Sequence, residues 1–101
     1  MNEGYVKIYR KMLDDEMICI DTEYWAIWCY LLLNATHTEY KSIFNGNEII
    51  LKPGQLITGR DVIASKFNIN PSKVQRVLKK FEKFGKIEQQ TRQQKSLNIN
   101  T

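Results

Sequence analysis

The chain is poor in the residues and patterns that mark enzymes, metal proteins and membrane proteins. It has one histidine, His37, and two cysteines, Cys19 and Cys29, at no recognisable ligand spacing, which speaks against a zinc site. His37 reads as a helix-end residue near the last carbonyls. Both cysteines sit among apolar residues and read as buried reduced thiols rather than a disulfide, which points to a cytoplasmic protein. A membrane-spanning helix needs roughly 20 apolar residues. The longest run here, Ala26 to Leu33, has eight and includes Cys29 and Tyr30, so no membrane is expected. Asn2, Glu3 and Gly4 do not make the basic start of a secretory signal. There is no Gly-rich phosphate loop, nucleophile elbow or zinc signature. Asp14, Asp15 and Glu16 form an acidic run, but nothing near them completes a metal or acid–base site, and they read as a loop or helix cap. Hence no enzyme, no cofactor and no small-molecule substrate are expected.

What is present is an ordinary share of apolar residues, 43%, and of charged ones, 26%, over 101 residues. That fits a single domain spanning 1–101 with one modest core. The charge is unevenly placed. Residues 1–51 hold four basic side chains against eight acidic ones, a balance of −4. Residues 52–101 hold eleven against three, Asp61, Glu82 and Glu88, a balance of +8. A strongly basic half suits contact with a polyanion.

Along the chain, Tyr5 to Leu13 fits a short helix or a strand equally well. Asp21-Thr22-Glu23 has the cap and first-turn acid of a helix start. The helix it opens should reach about Asn34 or Thr36. It is apolar nearly all round, with Trp25, Ile27, Trp28, Tyr30, Leu31, Leu32 and Leu33, so part of its surface is expected to await a partner. Asn45-Gly46 between apolar runs predicts a hairpin. Lys52-Pro53-Gly54-Gln55 predicts a type II turn, with a short strand at Gln55–Ile57. Thr58 and Asp61 match a capping box before a helix over Arg60 to Phe67 that buries Val62 or Ile63, Ala64 and Phe67. After the turn Asn68-Ile69-Asn70, Pro71 opens a further helix capped by Asn70 and ended at Gly85. Sparse alternation of Ile87, Leu97 and Ile99 predicts two antiparallel strands around the basic turn Arg92-Gln93-Gln94-Lys95. The last strand runs to the chain end without a tail, which suggests a domain cut from a longer protein.

Helix, three-residue turn, helix, glycine and basic hairpin form the order of a winged helix-turn-helix. The expected fold is therefore α+β: a winged helix-turn-helix with an N-terminal extension and an extra β-hairpin. The second helix of the motif carries the functional signal. At about 100° per residue, Val77, Leu78, Phe81 and Phe84 gather with Val74 on one side. Ser72, Arg76, Lys79 and Lys83 gather opposite, flanked by Lys73, Gln75 and Lys80. A face that meets only water usually mixes signs through Glu–Lys pairs, whereas this one carries five cations and no acid. Lysine and arginine there suit phosphates, while Ser, Gln and Arg near the helix start can reach base edges. Arg60 and Lys66 on the bracing helix are candidate phosphate contacts, and Arg92 and Lys95 would add two cations at the wing tip.

Four stretches in order resemble a known family. Gly4-Tyr-Val-Lys-Ile-Tyr-Arg-Lys-Met-Leu13, Trp28-Cys-Tyr-Leu-Leu-Leu-Asn-Ala35 and Phe44-Asn-Gly46 with Leu51-Lys-Pro-Gly-Gln-Leu-Ile-Thr58 are three of them. Ser72-Lys-Val-Gln-Arg-Val-Leu-Lys-Lys-Phe-Glu-Lys-Phe-Gly-Lys-Ile87 is the fourth. Together they are similar to the N-terminal winged-helix domain of phage replisome organisers and DnaD-like primosomal proteins. The resemblance implies duplex-DNA binding in replication initiation, recruitment of a helicase loader or helicase, and self-association, with no cofactor. Read from the residues alone, two other functions fit. One is a protein-interaction module that assembles through the first helix and the Asn45-Gly46 hairpin. The other is a winged-helix transcriptional regulator.

Overall fold

Polar caps and turn residues cut this chain into short elements. The structure is a computed structural model and describes residues 5–44, 46–90 and 96–99. Chain without regular secondary structure from Tyr5 leads into a 3-10 turn at Arg10–Asp14. Next comes α1 (Thr22–Asn34), where Asp21 caps the helix by accepting from the Tyr24 amide at 2.9 Å. Then follow β1 (Tyr40–Phe44), β2 (Asn47–Leu51), β3 (Gln55–Ile57), α2 (Arg60–Phe67), α3 (Pro71–Lys83), β4 (Ile87–Gln90) and β5 (Ser96–Ile99). The fold class is α+β. No helix among the described residues is long and apolar enough to cross a membrane.

Two antiparallel sheets result. β1 and β2 form a two-stranded hairpin in which Tyr40 faces Leu51 and Phe44 faces Asn47. Asn45, half of the turn signal, lies outside the described residues. The second sheet has the order β3-β5-β4, with Leu56 opposite Leu97 and Ile87 opposite Ile99. These four side chains are buried and floor the core. The turn into β3 follows the expected chemistry. The Gln55 amide donates to the Lys52 carbonyl at 3.0 Å, and Gly54 takes φ +88°, which a type II turn requires at that place.

Helix α3 packs its buried residues Val74, Val77, Leu78 and Phe81 over this sheet and against α1 and α2. Phe81 is fully buried and meets Tyr24 and Trp28 of α1 edge-on, with ring centroids 5.8 and 5.4 Å apart. Such edge-to-face pairs add about 0.5–1.5 kcal/mol each beyond the area they bury.

Five sequence expectations change in the structure. Phe84 is 58% exposed rather than core, because it is the C-cap residue. There the chain leaves helical geometry, turning at Gly85 with φ +76°, and the 100° step no longer places the ring. Thr58 does not cap α2; Gly59 holds that place, with no side-chain cap, and the Thr58 hydroxyl instead faces the Tyr30 hydroxyl at 3.4 Å. Cys19 is an exposed free thiol that donates to the Met12 carbonyl at 3.3 Å, while Cys29 is half-buried and free, its pKa raised by burial. On α2, Ile63 and Ala64 are buried and Val62 is exposed. Phe67 stays at the margin, edge-on to Tyr30 at 5.9 Å. The surplus apolar surface expected on α1 is smaller than its composition implies. Tyr24, Ile27, Trp28 and Leu31 are buried and Trp25, Cys29, Tyr30 and Leu32 pack partly against the core, leaving Leu33 exposed.

Candidate functional site

The start of α3 is fixed by two adjoining residues. Pro71 occupies the first helical position, where its missing N–H costs nothing, and Asn70 accepts from the Ser72 amide at 2.9 Å. From there the apolar stripe anchors one side of the helix, and the opposite side faces outward. Ser72, Arg76, Lys79, Lys80 and Lys83 are all exposed on it.

The two flanks of that face are drawn to different neighbours. On one flank, Lys73 reaches across to the start of α1, with its Nζ 2.7 Å from Asp21 and 2.9 Å from Glu23. The hydrogen bond to Asp21 comes first among the causes that raise the Lys73 pKa, followed by the one to Glu23. The same bond, with the Tyr24 amide on the other carboxylate oxygen, holds Asp21 below its ordinary pKa. Lys80 lies on this flank too, with its ammonium 5.9 Å from the centre of the Tyr24 ring. On the other flank, Gln75 turns toward α2, where its carbonyl oxygen accepts a hydrogen bond from the Arg60 guanidinium. Arg60 also lies 3.9 Å from the Asp61 carboxylate.

Between the flanks, Ser72, Arg76 and Lys79 form the middle of the face. Among the described residues, neither Arg76 nor Lys79 has an ion-pair partner. Lys83 sits at the far end, its ammonium 6.0 Å from the Phe84 ring centre. Of the ten residues read from the sequence, eight are therefore placed. Ser72, Gln75, Arg76, Lys79, Lys80 and Lys83 share one side of α3, with Arg60 adjoining through Gln75. Lys73 is committed to α1. Arg92 and Lys95 lie outside the described residues. Lys66 is exposed in the last turn of α2.

A second cation of the basic half is also tied back to the acidic half. Lys86 lies 2.5 Å from Asp15 and 5.9 Å from the Trp28 ring centre. Burial pushes the Asp15 pKa up, but Lys86 and the amides of Ile18 and Met17 outweigh it and hold the carboxyl below its usual value. Asp15 thus caps the turn after Arg10–Asp14, and its partner 71 residues away could not be read from the local sequence.

An open hollow of about 920 Å³ lies elsewhere, against Tyr5, Tyr9, Trp28, His37 and Lys86. Among the described residues, no three His, Cys, Asp or Glu side chains gather to hold a metal ion. No family model, no curated protein and no solved structure matches the chain.

Proposed function

We propose that this domain binds duplex DNA through α3, as a winged helix-turn-helix whose motif helix enters the major groove. The observation that carries the reading is the outward face of α3. Arg76, Lys79, Lys80 and Lys83 are exposed on it, and no acid shares it. Such a face repels itself unless an anion neutralises it, and a phosphate backbone supplies one at regular spacing. The element order supports the same reading. α2 and α3 are joined by Asn68–Asn70 and followed by β4 and β5, with β3 alongside β5. In that arrangement α2 braces α3, and the β4–β5 hairpin lies beside the backbone. Binding without chemistry is the proposed role, and the family resemblance implies replication initiation as its setting.

Fluorescence anisotropy of a labelled duplex tests the proposal. Tight binding at low salt that falls steeply as salt rises is the expected result. Absence of salt-dependent affinity for any duplex would end the proposal.

One observation favours self-association as a second role. The β1–β2 hairpin leaves Ile43 75% and Ile50 50% exposed. By the register, both belong to the same outer face, which they share with Lys41 and Glu48. A two-stranded ribbon is marginal by itself and carries unpaired edges, so a second copy of it is a fitting cover. Sedimentation over a range of concentrations tests this. Ile43→Asp with Ile50→Asp should shift the protein to monomer, whereas a wild type that stays monomeric at high concentration contradicts it.

A further inference from the structure

We infer that the open hollow along the N-terminal arm is a groove for single-stranded nucleic acid, separate from the basic face of α3. The inference does not rest on duplex binding by α3, because no described residue of that helix lines the hollow.

The arm reads Tyr5-Val-Lys-Ile-Tyr-Arg-Lys11. Tyr5, Lys7, Tyr9 and Lys11 line the hollow of about 920 Å³, while Ile8 and Arg10 lie outside it. Ring and cation thus alternate along one wall. Both rings are open to solvent, Tyr5 86% and Tyr9 65% exposed. Both lysines are exposed, and neither has an ion-pair partner among the described residues. The buried Met12, Ile18, Trp28 and Ile99 give the hollow an apolar floor, and His37 and Pro53 are exposed at its border.

Among the described residues that line the hollow, Asp15 is the one acid. Its carboxylate is already held by Lys86 at 2.5 Å and by the amides of Met17 and Ile18. The charges of Lys7 and Lys11 therefore favour an anionic occupant. Duplex DNA is anionic, but its bases are stacked inside and do not reach the rings. An acidic peptide anchors its apolar side chains in enclosing pockets, whereas tyrosines this exposed offer flat faces. A single strand offers an unstacked base beside each phosphate. Bases stacked on aromatic rings, with cations tracking the backbone, hold such strands without regard to sequence. The alternation of ring and cation in the arm matches that of base and phosphate.

Fluorescence anisotropy with a labelled oligodeoxythymidine of about 12 nucleotides tests the inference, at a length typical of such grooves. Oligothymidine forms no duplex, so its binding reports a single strand. The 101-residue protein should bind it at low salt. Oligouridine of the same length should bind comparably, because rings and lysines do not read the sugar. Tyr5→Ala with Tyr9→Ala should weaken binding about tenfold or more, the scale of one stacked base, with duplex affinity and melting temperature unchanged. Tyr5→Phe with Tyr9→Phe keeps the rings and should bind like wild type. Lys7→Gln with Lys11→Gln should reduce the slope of log K against log salt by about 1.4 in magnitude, at about 0.7 per phosphate of a single strand. The inference is overturned if the protein leaves oligothymidine unbound at low salt, or if the double alanine variant binds it like wild type. It is also overturned if Arg76→Ala with Lys79→Ala abolishes oligothymidine binding, which would put the strand on α3. An acidic peptide bearing aromatic side chains that displaces the label at lower concentration than unlabelled oligothymidine would overturn it too, in favour of a protein partner. Oligothymidine binding without duplex binding would uphold this inference and end the proposal for α3.

Discussion

Phe81 and Asp21 show how single side chains join the two ends of this chain. Phe81 is the buried centre on which α1 and α3 meet, touching Tyr24 and Trp28 edge-on. Its truncation leaves a void that neighbours cannot fill without moving. Phe81→Ala is expected to cost about 3–5 kcal/mol of stability, read by urea unfolding. Phe84→Ala, at an exposed cap position, should stay within about 0.5 kcal/mol of wild type. Equal losses from the two would show that α3 is rotated from the arrangement described. Asp21 divides its carboxylate, one oxygen on the Tyr24 amide and the other on Lys73. Its pKa is lower in the folded protein than its ordinary 3.8. The unfolded chain therefore binds the proton more readily, and the stabilising contribution is complete above pH 3.8 and lost as pH falls through the lowered folded value. Asp21→Asn retains an oxygen for the Tyr24 amide and loses the ion pair. The wild-type melting temperature should drop more steeply on acidification below that pH than the variant's, and parallel curves would contradict the assignment. Asp15, lowered in the same sense, gives both proteins a shared acid-side decline.

At the scale of elements, helix α3 was legible almost in full from the sequence, and its surroundings were not. Asn70, Pro71 and Gly85 mark its ends, and the spacing of Val74, Val77, Leu78 and Phe81 marks its inner side. These are local signals, set by backbone geometry within a few residues. The same signals placed α2, yet the capping box at Thr58 misled, because Thr58 is held near Tyr30 of α1, a tertiary contact 28 residues away. Lys73 is the corresponding case for the candidate site. Helical spacing puts it on the flank of the basic face, but only the packed structure brings Asp21 and Glu23 to it. The sharper expectation is that Arg76 and Lys79 matter most, being exposed mid-face and without ion-pair partners among the described residues. Arg76→Ala with Lys79→Ala should weaken duplex binding at least tenfold at moderate salt, with the melting temperature unchanged. Undiminished affinity would move the binding surface off α3.

For the whole molecule, the charge asymmetry of the sequence is partly folded away. The basic half returns Lys73 to Asp21 and Glu23, and Lys86 to Asp15, across separations of 52 and 71 residues. Those ion pairs tie the acidic half to the basic half, while Arg76 and Lys79 on the outer face of α3 have no ion-pair partner among the described residues. The count of those cations is itself measurable. Each phosphate neutralised contributes about −0.9 to the slope of log K against log salt, so Arg76, Lys79, Lys80 and Lys83 together give a slope of about −3.6. The most direct test compares that slope between wild type and the Arg76→Ala, Lys79→Ala variant on the same duplex. Removing two contacts should reduce its magnitude by about 1.8. A variant whose slope equals that of the wild type would show that these cations do not meet the DNA backbone and would contradict the central claim.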